Sequence, residues 1–165
     1  MYRKIDDFYQ DWHHEGESTA KVLKNLTDGS LRHTVMEGSR SIGFIAWHLA
    51  ISSGVFAQNT GLKVELLQQD SPPSSAQEIV DAYQRATQSF EDEVLKKWTD
   101  DSLVETINMF GQEMTKGKLL SFMILHQAHH RGQLTVLMRQ AGLRVPGVYG
   151  PAKEEWEAMG IPAMK

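Results

Sequence analysis

Three histidines stand within five residues of the stretch LHQAHHRGQ, Leu125–Gln133, in an otherwise apolar segment. Read as an α-helix, with His126 at zero and about 100° per residue, Leu119 and Leu137 fall at roughly +20° and His130 at roughly +40°. Met123 and Leu134 follow at roughly +60° and +80°. His126 and His130 are therefore one turn apart in the stripe expected to face the core, while His129 falls at about −60°, beside Phe122 and Val136. Two imidazoles at i and i+4 on one face can grip a single metal ion. A third ligand has to come from elsewhere. His48 is mid-face in another apolar segment, with Phe44, Ile45, Ile51 and Val55 within roughly 60° of it.

Taken singly, each of these histidines reads equally well as a buried neutral imidazole with a hydrogen-bond partner. Taken together, His48, His126 and His130 would need several polar partners, whereas one divalent ion satisfies three ring nitrogens at once. Such a site is open, because three protein ligands leave a coordination position for water or substrate. The chain has no cysteine, so thiolate ligands and disulfides are excluded. Zincin chemistry is excluded too, since the residue after the first histidine is Gln127 rather than the glutamate base. Di-iron chemistry fails because neither His126 nor His130 has an acidic residue three positions before it. Glu15, Glu37 and Glu113 are the acid/base candidates. Gln133, one turn past His130, reads as a hydrogen-bond donor behind the site or as a satisfied core amide. Arg131 points off the core stripe, toward solvent or an interface. His13, His14 and His33 read as surface residues.

The elements that must position these groups are four helices. The first spans about Ile5 to Leu26, with Gly16 as a weak point, and stops at Asp28-Gly29-Ser30. After an ambiguous, partly extended Leu31–Glu37 segment, the second starts at Ser39 or Ser41 and ends near Asn59-Thr60-Gly61. Residues 62–74 connect, with Pro72-Pro73 forbidding helix. Ser75 and Glu78 form a capping-box pattern that opens a third helix, running to about Trp98. Leu103 to Phe110 suggest short extended pieces with a turn at Gly111. The fourth helix, about Lys116–Gln140, carries the three clustered histidines and ends at Gly142. A Pro/Gly loop at 144–151 and a short amphipathic turn at Lys153–Met159 follow. The expected fold is an all-α four-helix bundle in one domain spanning 1–165, with a long crossover and a partly extended connection.

Composition is that of an ordinary globular chain: 41% apolar, 23% charged, net charge −4. No Lys/Arg cluster is present, so no nucleic-acid partner is expected. There is no apolar leader and no run approaching 18 apolar residues, so no membrane partner is expected and the cytoplasm is the expected location.

At Ser41-Ile-Gly-Phe-Ile-Ala-Trp-His48, at His126-Gln-Ala-His-His-Arg-Gly-Gln133 and in the tail Ala141–Pro151, the chain resembles the DinB/YfiT-like family. The likeness spans nearly the whole sequence, and the second block is its most specific part. The resemblance implies an up-down-down-up four-helix bundle, usually a homodimer, with a divalent metal held by His48, His126 and His130. It also implies thiol-dependent chemistry, because members with known activity transfer or isomerise using low-molecular-weight thiols. Three readings follow: a thiol S-transferase acting on small electrophiles, a hydrolase activating water at the same site, or a non-catalytic stress-response bundle that binds metal or a small ligand. Imidazole suits both zinc and nickel, so one divalent ion, zinc or nickel, is the expected cofactor. Its affinity should fall as pH drops through the imidazole range, near about 6.5.

Overall fold

The computed structural model describes residues 1–67, 71–160 and 162. Helix α1 is Ile5–Leu23, α2 is Ile42–Ala57, α3 is Ala76–Lys97 and α4 is Lys116–Gln140. Strands β1 (Thr106–Met109) and β2 (Gln112–Thr115) lie between α3 and α4, and a four-residue helix α5 (Lys153–Trp156) follows α4. Single 3-10 turns occupy Asp28–Ser30, Asp101–Val104 and Glu157–Met159.

Of the two caps the sequence suggests, the second helix takes Ser41 rather than Ser39 and the third takes Ser75, while α4 starts on Thr115. Ser41 accepts from the Phe44 amide at 3.1 Å, Ser75 from Glu78 at 3.4 Å and Thr115 from Lys118 at 3.2 Å, each satisfying a helix-start donor that would otherwise lack a partner. Gly16 does not interrupt α1. It sits in a close approach to α3, where a Cβ would meet Thr87 Cγ2 at 3.2 Å. Segment 31–37 is turn and bend rather than strand. The 62–74 connection is irregular over its described part, and residues 68–70 lie outside the described residues. The extended pieces before α4 pair as an antiparallel hairpin, Thr106 opposite Thr115 and Met109 opposite Gln112. Phe110 and Gly111 turn it, both at positive φ (53° and 81°), as a two-residue hairpin loop with matched twist requires.

Contacts along the helices give their directions. Phe8 and Trp12 of α1 pack on Phe90, and Trp12 Nε1 donates to the Thr87 carbonyl, with Tyr83 beside Gly16 further along; α1 and α3 are antiparallel. The Tyr2 amide bonds Gly117, and Thr19 reaches Gln127, so α1 and α4 run the same way. Phe56 meets Phe122 while His48 meets His130, so α2 opposes α4. The result is an up-down-down-up four-helix bundle, whose parallel α2 and α3 require the long connection between them.

The apolar core falls into two parts. One gathers Val22, Leu23, Ile42, Leu49, Ile79 and Leu134. The other gathers Phe8, Trp12, Phe90, Val94, Leu119 and Leu120. Burying side chains of this size contributes about 1.5–3 kcal/mol each. Polar groups are buried as well: Glu15, Thr19, Gln127, His130 and Arg131. Among the described residues no helix is long and apolar enough to cross a membrane.

Candidate metal centre

Helices α2 and α4 bring His48, His126 and His130 together, with one ring nitrogen from each lying within 4.8 Å of the others. His48 Nε2 and His126 Nε2 are 3.1 Å apart. The His130 ring lies 4.5 Å from both other rings, edge-on to each. His130 is buried, while His48 and His126 are half-buried, so the cluster sits where the core meets the surface. Aromatic rings wall it: Phe56 and Phe122 stand 5.0 and 5.9 Å from His126, and Phe44 stacks parallel to His48 at 6.4 Å.

Electrostatics keep these imidazoles neutral. Burial lowers His48 and His126 to about 4 each, reinforced for both by the charge of His130, with Arg40 adding to the effect on His48. His130 is also lowered, chiefly by burial, against the opposing pull of Gln133. Gln133 Oε1 sits 2.8 Å from His130 Nδ1, and its Nε2 sits 3.1 Å from His129 Nε2. An amide oxygen only accepts, so His130 carries its proton on Nδ1 and leaves the Nε2 lone pair free.

These residues fit a divalent ion. Two nitrogens bound about 2.0–2.1 Å from one zinc stand about 3.3 Å apart at the tetrahedral angle, close to the 3.1 Å between His48 and His126. Two neutral Nε2 atoms at that spacing can share only one proton, and a cation between them satisfies both lone pairs. Gln133 is then the orienting hydrogen-bond partner that ligating histidines commonly have.

The other candidates are placed differently. His129 is exposed and outside the cluster. His13 and His14 are exposed as expected, but His33 is half-buried, with its Nε2 enclosed and unpartnered. Glu37 and Glu113 are exposed, and no carboxylate joins the triad among the described residues.

Arg131 and Glu15 correct the sequence reading. Arg131 is 2% exposed and inside the bundle, not facing solvent. Its Nη2 lies 2.7 Å from Glu15 Oε2, off-axis for a hydrogen bond but close enough for an ion pair between side chains only 3% and 6% exposed. It also donates to Thr19 Oγ1 at 3.0 Å and to Tyr149 Oη at 2.8 Å, and Tyr149 donates to Glu15 Oε1 at 2.7 Å. Glu15 is thereby committed to structure. Gln127 also points inward, where its Oε1 accepts from Thr19 at 3.0 Å and from Tyr83 at 2.5 Å. Helical spacing turns Thr19 and Tyr83 inward but gives no sign of their polar partners, and Tyr149 had no signal in the sequence. Arg131 and Gln127 did: both lie on the Leu120/Leu134/Met138 side of α4, about 100–140° round from His126. The core axis passes nearer that side than through His126.

The profile of the DinB family matches residues 1–164. This chain belongs to the DinB family. YrdA of Bacillus subtilis strain 168 is 47% identical over 166 aligned positions, covering 100% of this chain and 99% of that one. A DinB-like protein of Bacillus cereus ATCC 10987 superposes with a TM-score of 0.87 at 43% identity, over 90% of this chain and 100% of that structure. YfiT of Bacillus subtilis shares the fold, with a TM-score of 0.64 at 17% identity over 84% and 87% of the two chains. YfiT is described as "a probable metal-dependent hydrolase with an unusual four-helix bundle topology".

Proposed function

We propose that this DinB-family chain is a metal-dependent thiol S-transferase, with His48, His126 and His130 holding one zinc or nickel ion. The observation that carries the reading is a neutral three-imidazole cluster where the core meets the surface, with no carboxylate beside it among the described residues. A divalent ion held by three neutral ligands keeps its double charge and supplies a strong Lewis acid, able to bring a thiol to its thiolate near neutral pH.

The chain's own residues orient and exclude. Gln133 fixes the His130 tautomer, Phe44, Phe56 and Phe122 keep water from the flanks of the cluster, and the low basicity of His48 and His126 keeps protons off their nitrogens. In the transfer a carbon–sulfur bond forms, the bond from that carbon to its leaving group breaks, and the thiol proton passes to solvent. Hydrolysis, the class given for YfiT, additionally wants a base to shuttle protons. Gln127 occupies the position where a zincin places its base and faces the core, and Glu15 is held by Arg131. A thiol has less need of a base, starting from a pKa of about 8.5.

The test is turnover by metal-loaded, tag-free protein of 1-chloro-2,4-dinitrobenzene with a panel of thiols, beside a panel of esters and amides. Thiol- and metal-dependent turnover is expected. Metal-dependent ester or amide hydrolysis with no thiol-dependent turnover would reverse the assignment, and silence in both panels would favour a non-catalytic metal-binding bundle.

A further inference from the structure

Beside the triad lies a cleft of ≈ 410 Å³ lined by Val35, Ser39, Arg40, Ile45, Gln133, Val136 and Leu137. Its size is that of a small-ligand site, about 300–1,000 Å³. Four of the seven lining side chains are aliphatic, and Arg40 is the only charged one. Two of the lining residues connect it to the histidines. Gln133 forms part of its wall and bonds His130 at 2.8 Å. The Arg40 guanidinium lies 5.0 Å from the centre of the Phe44 ring, which stacks on His48.

The polar groups of the cleft are not equally free. Gln133 is engaged at both ends of its amide, by His130 and His129. Ser39 Oγ donates to the Met36 carbonyl at 2.7 Å. Arg40 makes its ring contact with Phe44 and pairs with no carboxylate among the described residues. A guanidinium parked on an aromatic face keeps its in-plane N–H donors available, and their fork matches a carboxylate.

We propose that this cleft is the electrophile site of the transferase, taking an apolar small molecule that carries a carboxylate. The carboxylate pairs with Arg40 and the apolar body lies along Val35, Ile45, Val136 and Leu137, with Gln133 marking the wall of the cleft next to His130. Arg40 is the specificity-determining residue. The proposal rests on the triad holding the catalytic metal, and binding alone can test it separately.

The probes are 4-phenylbutanoate and its neutral isostere 4-phenylbutanamide, titrated into metal-loaded native protein and Arg40→Gln by calorimetry and amide NMR. Metal content is measured in parallel. Native protein should prefer the carboxylate by about tenfold, the scale of one charge-assisted contact near the surface. Arg40→Gln should bind both probes alike, and the shifted amides should be those of Ile45, Val136 and Leu137. Val136→Trp, which fills the cleft, should weaken both probes while retaining metal. Undiminished carboxylate preference in Arg40→Gln, or shifts elsewhere, with metal content intact, would overturn the cleft and leave the triad standing. Arg40-dependent preference in a native protein that holds no metal would uphold the cleft and overturn the triad.

Discussion

Replacing Arg131 by Met should destabilise the bundle far more than a residue beside a metal site would suggest. The guanidinium pairs with Glu15 at 2.7 Å where both side chains are almost wholly enclosed, and it also holds Thr19 and Tyr149. Removing one partner of a buried ion pair leaves the other charge uncompensated, which costs about 3–5 kcal/mol. That is a large share of a typical total of about 5–15 kcal/mol. Taking a urea m-value of about 2 kcal/mol/M, the midpoint should fall by about 1.5–2.5 M. Adding Glu15→Gln to Arg131→Met should recover much of the loss, because the stranded charge is gone. Tyr149→Phe, which removes hydrogen bonds and no charge, should cost about 1–2 kcal/mol. Urea melts of the four proteins by circular dichroism measure all of this. A midpoint shift below about 0.5 M for Arg131→Met would refute the reasoning, since a buried pair cannot be broken that cheaply.

Gln133→Leu should leave the fold intact and weaken metal affinity about 10- to 100-fold by freeing the His130 ring; competition with a chelator of known affinity measures it, and unchanged affinity would contradict the role. The pH dependence follows from His48 and His126, held near 4 by burial. Unfolded, they protonate near about 6.5, so between about 6.5 and 4 the unfolded chain binds more protons and the metal-free fold loses stability as pH falls. Proton competition for metal shifts to the same lower window, so affinity should be level from about pH 7.5 to 6 and drop below about pH 5. A tenfold loss by about pH 6 would show unperturbed imidazoles instead. A homodimer is expected from the family resemblance and from exposed apolar side chains such as Phe110 and Leu125. Light scattering giving 18.6 kDa, the mass of one chain, across micromolar concentrations would contradict it.

The parts of the fold that were legible in the sequence are those with one apolar face. Helices α1 and α3 show a clear stripe, and Ile79, Tyr83, Ala86, Phe90, Val94 and Trp98 are all buried as their spacing requires. Helix α2 is apolar nearly all round and α4 scatters apolar and polar residues around its circumference, so the facing of both was ambiguous. Phe44, Phe122, Leu125 and Val136 imitate core residues yet are exposed around the histidines. That placed His48 and His126 deeper than they are, and turned Arg131 outward. The triad itself was recoverable because i, i+4 spacing survives an error in the helix's rotation. The network joining Glu15, Thr19, Tyr83 and Tyr149 to α4 was not, because it links residues from 18 to 134 positions apart through single side-chain atoms. Lowered histidine basicity was also invisible, since it arises from burial between two helices.

The most direct test of the metal centre is metal content per chain, by elemental analysis of tag-free protein, in the native form and in four single variants. One divalent ion per native chain is expected, lost in His48→Ala, His126→Ala and His130→Ala and largely retained in His129→Ala. A native protein that takes up no metal, or full occupancy in any of the first three variants, would contradict the three-histidine centre.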